Sequence, residues 1–178
     1  MLQIDVKKTI LLVVVICLHN AFASAKNSVW LEKLDSILAV SENIVAEKNN
    51  KIAMLKQMAA KETNTSLLLK RYWELSEEYY VFKFDSAKIY VEKGLALARK
   101  TNNRRYVVAN SIMLAKLLAI GGLYSEAISN LSKINPEILE PDLFFDYHIA
   151  YFTIYSYWAD YCNDNTYSPI YKEKSNAC

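Results

Sequence analysis

The chain has 178 residues, 53% of them hydrophobic, with 21 basic and 19 acidic side chains for a formal charge of +2. That near-neutral balance, without a basic block, excludes an electrostatic footprint for nucleic acid. Three glycines are too few for a GxGxxG or Walker-type phosphate loop, and two histidines leave little for an imidazole metal site or a catalytic triad.

Residues 1–25 read as a Sec-type signal peptide. MLQIDVKK supplies a charged start with Lys7 and Lys8, and TILLVVVICL an apolar run too short to cross a bilayer core about 30 Å thick as a helix. AFASA then offers small residues at Ala21, Ala23 and Ala25, so cleavage is expected after Ala25 or Ala23. The competing reading is an uncleaved anchor. A lipoprotein is disfavoured because bulky Ile16 precedes Cys17. Export places the mature chain in the periplasm, with 19 basic and 18 acidic residues and His148 as its single histidine.

Residues 26–63 predict one long amphipathic helix, since no glycine or proline occurs before Gly94. Leu31, Leu38, Val45, Ile52 and Ala59 recur every seven residues, and Leu34, Ile37, Ile44 and Leu55 widen the stripe. Ser41 and Lys48 interrupt it, giving an imperfect coiled-coil seam that packs on the rest of the chain or on a partner. Glu47 and Lys51 are spaced for an i,i+4 pair. EKNNK is the weak point of the helix and KETNT its end.

Residues 64–178 change to shorter helical segments, and no alternating strand pattern competes with them. The chain is therefore expected to be all-α, built of antiparallel hairpins. Asp85, Ser125 and Ser168 are expected at N-caps, with Pro169 at the first helical position after Ser168. FKFDSAKIYVEKGLALA and GGLYSEAISNLSKI share one plan: an aromatic, a small polar residue, an alanine, and an apolar residue four places after it. The alanines are Ala87 and Ala127, and the following apolar residues Val91 and Leu131. A third hairpin is expected over 142–178, its first helix at 142–164 and its second starting at Ser168.

This plan resembles the tetratricopeptide repeat, whose turn reads Gly-x-Tyr-x-Glu-Ala. Gly122, Tyr124, Glu126 and Ala127 match that turn, and Ala87 matches it in part. The spacing from Ala87 to Ala127 exceeds the 34 residues of the standard repeat, and Asn135-Pro136 cuts the second repeat short. With the leader, LEKLDSIL and ADYCNDNTYSPIYKEKSNA, the chain is similar to a family of exported proteins of Bacteroides-type bacteria catalogued as a domain of unknown function. Members look like membrane-tethered regulators, with a periplasmic repeat region, a transmembrane helix and a cytoplasmic end of helix-turn-helix character. The resemblance covers the periplasmic part, carries over no catalytic residue, and implies the sensor-like segment of a regulator.

No GxSxG or HExxH occurs, and adjacent acids such as Glu77-Glu78 do not converge on one helix face. An enzyme is not expected, and neither is a cofactor or a metal. Cys162 and Cys178 can pair in an oxidising compartment, but two free thiols are the default.

The thirteen tyrosines cluster, with Tyr147, Tyr151 and Tyr155 as an i,i+4 ladder. They serve either as hairpin core with wet phenolic ends or as a binding face. In a tetratricopeptide array the first helix of each hairpin lines the concave groove. By repeat position that places Tyr72, Ser76, Tyr79, Ile112, Lys116, Phe152 and Tyr155 toward a protein or peptide partner. The alternatives are a stand-alone periplasmic scaffold or a glycan-binding accessory using the aromatic face. An incomplete third repeat would leave Phe144, Tyr151, Tyr155 and Trp158 partly uncovered and favour self-association through that end.

Overall fold

The computed structural model describes the backbone of residues 6–178 and the side chains of residues 29–178. The signal-peptide reading of 1–25 lies outside the residues whose side chains are described. The chain divides into two units at Asn50–Lys51.

Among the described residues the first unit is part of helix α1, Val6–Lys61, which runs unbroken through EKNNK. The absence of glycine and proline allows this continuity. The seven-residue stripe is present but bare: Leu31, Leu34, Ile37, Leu38, Ile44 and Val45 are all exposed. The expected amphipathic packing is therefore not seen over this stretch. Periodicity marks an apolar face, and nothing among the described residues of the unit covers it.

The second unit holds the end of α1 and six further helices among the described residues: α2 Thr65–Tyr80, α3 Phe84–Lys100, α4 Arg104–Ile120, α5 Tyr124–Leu131, α6 Pro141–Cys162 and α7 Tyr167–Asn176. A 3-10 turn, Pro136–Ile138, separates α5 from α6. Helices α2/α3, α4/α5 and α6/α7 form three hairpins, and α4 packs on both α2 and α6. Ile52 and Leu55 of α1 join Leu75, Tyr79, Ala87, Val91, Met113 and Leu117 in one core cluster. A second cluster unites Ile112, Ala115, Ala119, Ala127, Leu131, Tyr147, Ala150 and Ile154. Helix α4 feeds both, which is why its sequence is apolar nearly all round. Lys51 pairs with Glu78 of α2 at 2.6 Å, where the i,i+4 spacing had pointed to Glu47 on its own helix.

The glycines after α4 end that helix. Gly122 has φ +78°, its N–H reaches the Ala119 carbonyl at 3.0 Å, and the Leu123 N–H returns to the Leu118 carbonyl at 2.9 Å. This is a left-handed helix stop. Asn102, φ 54°, closes α3 the same way, with the Asn103 N–H on the Ala98 carbonyl at 2.9 Å. A Cβ on Gly122 would meet nothing within 4 Å, so the site resists a side chain through backbone conformation alone. Gly122→Val is expected to lower stability by about 1–2 kcal/mol. Gly122→Asn, which tolerates positive φ, should cost much less in a urea melt.

The expected N-caps are corrected. Asp85, Ser125 and Ser168 are the second residues of α3, α5 and α7, and Pro169 is the third of α7. The preceding residues Lys83 and Leu123 lend backbone carbonyls to the Ala87 and Ala127 N–H groups at 3.0 Å each. The tight turn thus starts the helix one aromatic earlier. True side-chain caps sit on the first helices of the first two hairpins: Asn64 accepts from the Leu67 N–H at 3.1 Å and Asn103 from the Tyr106 N–H at 3.2 Å. The long helix of the third hairpin is Pro141–Cys162, not 142–164. Cys162 and Cys178 are free thiols.

Candidate interaction groove

Helices α2, α4 and α6 stand side by side, so the face they share is where a partner would meet the repeats. A cleft of about 130 Å3 opens there, lined by Trp73 and Glu77 of α2, Ala109, Ile112, Met113 and Lys116 of α4, and Asp146 of α6. The charges alternate across it, acid on α2, base on α4, acid on α6. Burial pushes the Glu77 carboxyl up, assisted by the nearby Glu78 and Glu74 carboxylates. A hydrogen bond from Trp73 and the Lys116 charge oppose that rise. Lys116 Nζ rests over the Tyr80 ring at 5.2 Å from its centroid, which holds the ammonium at the rim.

A clamp lies one turn before Asp146. Arg105 of α4 bonds both Glu140 and Asp142 at the start of α6, including Nη1 to Asp142 Oδ1 at 3.2 Å. The Asp142 hydrogen bond, with both carboxylate charges adding to it, raises the Arg105 pKa, and the guanidinium lowers that of Asp142. These groups are exposed, so the clamp orients more than it stabilises.

The sequence-based groove residues divide. Ile112 and Lys116 line the cleft. Ser76 and Tyr79 are buried, Ser76 donating to the Trp73 carbonyl at 2.7 Å and Tyr79 stacked on Tyr90 of α3 at 5.8 Å. Tyr72 also leans on Tyr90, with ring centroids 6.1 Å apart. On α2 the register is thus off by one: Trp73 and Glu77 line the cleft instead. One residue turns a helix by about 100°, enough to move a side chain from groove to core.

On α6 the departure is larger. Phe152 lies in an apolar hollow with Phe144, Phe145, His148, Ile149 and Cys178, away from the cleft. Tyr155 is half-buried between Trp158 and Tyr171, with Lys174 Nζ over its ring at 5.5 Å. Of the four residues expected to be partly uncovered, Phe144 is exposed. Tyr151, Tyr155 and Trp158 are half-covered, Trp158 stacking on Tyr171 at 4.1 Å.

The repeat-turn residues serve the scaffold. Ala87 and Ala127 have no exposed surface, and their small size lets the paired helices close. Tyr124 reaches forward to α6, stacked on Trp158 at 5.6 Å, and Glu126 is exposed.

Among the described residues no group of His, Cys, Asp and Glu could hold a metal ion, and no helix is long and apolar enough to cross a membrane. No curated protein and no solved structure matches the chain. The family model described as the SusR N-terminal TPR domain matches residues 38–178. That span takes in the end of α1 and all three hairpins, and it is a non-catalytic interaction fold. The chain belongs to the SusR N-terminal TPR domain family.

Proposed function

We propose that this chain is the periplasmic, sensor-like part of a membrane-tethered transcriptional regulator, and that it works by binding a protein or peptide partner on the α2/α4/α6 face. The observation that carries the binding role is the cleft itself. It offers an aromatic anchor at Trp73, apolar floor at Ile112 and Met113, and charges of both signs at Glu77, Lys116 and Asp146. Aromatic anchors with flanking polar groups are the composition that concentrates binding energy at interfaces. The alternating charges suit an extended segment that itself alternates in sign.

Selection from a random peptide library tests this. Enriched peptides should lose at least tenfold in affinity with Glu77→Lys, at an exposed residue, or Lys116→Glu, at a half-buried one. Peptides that bind both variants undiminished would move the site elsewhere. The glycan-binding alternative is less supported, because Trp158, Tyr155 and Tyr171 use their ring faces on one another.

The export part of the proposal rests on the leader-like order of residues 1–25. Protein recovered from the periplasm should begin at Lys26 or Ser24; an N-terminus of Met1 would favour the anchor reading. Self-association through the exposed α6 face, with Phe144, Phe145 and Phe152, belongs to the same proposal. A concentration-independent monomer in sedimentation would remove it.

A further inference from the structure

Helix α5 has 8 residues where its counterpart α3 has 17. Beyond Leu131 the chain leaves the helix and returns to α6 through the 3-10 turn Pro136–Ile138. The missing turns leave the start of α4 without a helical neighbour on that side. A cavity of about 380 Å3 occupies the space, sharing no lining residue with the α2/α4/α6 cleft. Its apolar surface comes from Val107 and Val108 of α4 and from Ile134 and Leu139, all half-buried.

Its rim is basic. Arg99 from the end of α3, Arg104 from the start of α4 and Lys133 after α5 all line it, and no carboxylate does. None of the three forms an ion pair among the described residues, while the neighbouring carboxylates Glu140 and Asp142 are held by Arg105. Three like charges gathered without a counter-charge repel one another, and an anion placed among them relieves that repulsion. The size falls in the range of about 300–1,000 Å3 typical of small-ligand pockets, which pair apolar walls with a few charged groups.

We propose that this cavity is a binding site for a small organic anion with an aryl or alkyl body. The anionic head lies between Arg99, Arg104 and Lys133, and the body lies on Val107, Val108, Ile134 and Leu139. A soluble effector bound here would touch α3, α4 and the α5–α6 connection at once, without occupying the partner cleft.

Isothermal titration of the purified chain with 4-phenylbutyrate and with naphthalene-1-sulfonate tests the site, with 4-phenylbutanol and inorganic phosphate as comparators. The expected result is saturable binding of at least one organic anion, one per chain and weakening as salt rises, with both comparators at least tenfold weaker. The triple variant Arg99→Gln, Arg104→Gln, Lys133→Gln changes only exposed side chains and should lose at least tenfold in that affinity while keeping the parent melting temperature. Failure of both anions to bind, equal binding of the uncharged alcohol or of phosphate, or unchanged affinity in the triple variant would each overturn the proposal. Binding that Phe144→Ser and Phe145→Ser abolish would place the anion on the α6 hollow instead, and would also overturn it.

Discussion

Leu131→Ala is expected to lower the unfolding free energy by about 2–5 kcal/mol, the range for emptying a large buried aliphatic site. Leu131 has no exposed surface and packs in the cluster with Tyr147, Ala150 and Ile154 of α6. It matters more than an average core leucine because α5 buries only Ala127 and Leu131. Without Leu131, an eight-residue helix keeps only Ala127 fully buried, with Tyr124 and Ile128 packed at the edge of the cluster, and isolated helices of that length are marginal. The loss should appear as a lower urea midpoint together with faster amide exchange in residues 124–140. Ser129→Ala, on the exposed side of the same helix, should stay within about 0.5 kcal/mol of the parent. A loss below about 1 kcal/mol for Leu131→Ala would mean that α5 is not held by this cluster.

The second large effect is at Gly94, and its sign depends on a competition. In an exposed helix Gly→Ala gains about 1 kcal/mol. Here a Cβ would lie 2.7 Å from Asn110 Oδ1 and 3.1 Å from its Cγ and Nδ2. Asn110 is fully buried and its Nδ2 donates to the Tyr106 carbonyl at 2.7 Å, so it cannot swing aside without losing that bond. Overpacking of this kind costs about 1–3 kcal/mol, in addition to any lost hydrogen bond. Gly94→Ala should therefore destabilise the protein. In an Asn110→Ala background the obstruction is gone, and the same change should stabilise it. This inversion of sign in a double-mutant cycle, read from urea melts, is the diagnostic result. Additive effects would show that the α3–α4 approach is looser than the structure has it.

The hairpin plan was legible because it rests on local chemistry. Ala87 and Ala127, Val91 and Leu131 stand at equal offsets from the turns, and all four are fully buried. Gly122 announced a left-handed residue and has one. The N-caps were less legible. Asn64 and Asn103 sit in polar runs, KETNT and TNNRR, that contain several capping candidates, while Asp85 and Ser125 stand beside turns whose backbone carbonyls already start the helix, and before Ser168 the Asp164 carboxylate accepts from the Thr166 and Tyr167 N–H groups. Of the residues expected in the groove, only those on α4 line the cleft. Which face of α2 is free depends on where α1 and α3 press, and Ile52, Leu55 and Tyr90 cover the side carrying Tyr79. On α6 the tyrosine ladder drew attention to a core, with Tyr147 and Tyr151 rings 5.0 Å apart, whereas Asp146 lay one residue away as an ordinary surface acid. The stripe on α1 was readable as a period, but a period does not name its cover.

The central claim is that the shared face of α2, α4 and α6 receives a protein or peptide partner. Chemical-shift mapping of the labelled chain with a library-selected peptide tests it most directly. The account predicts that saturating peptide moves the Trp73 indole signal, the Met113 methyl and the backbone of Lys116 and Asp146, leaving Phe145, Ile149 and Lys133 unmoved. Perturbations confined to Phe144–Phe152 or to Arg104–Val108 and Lys133, with the Trp73 and Met113 signals unchanged, would contradict it.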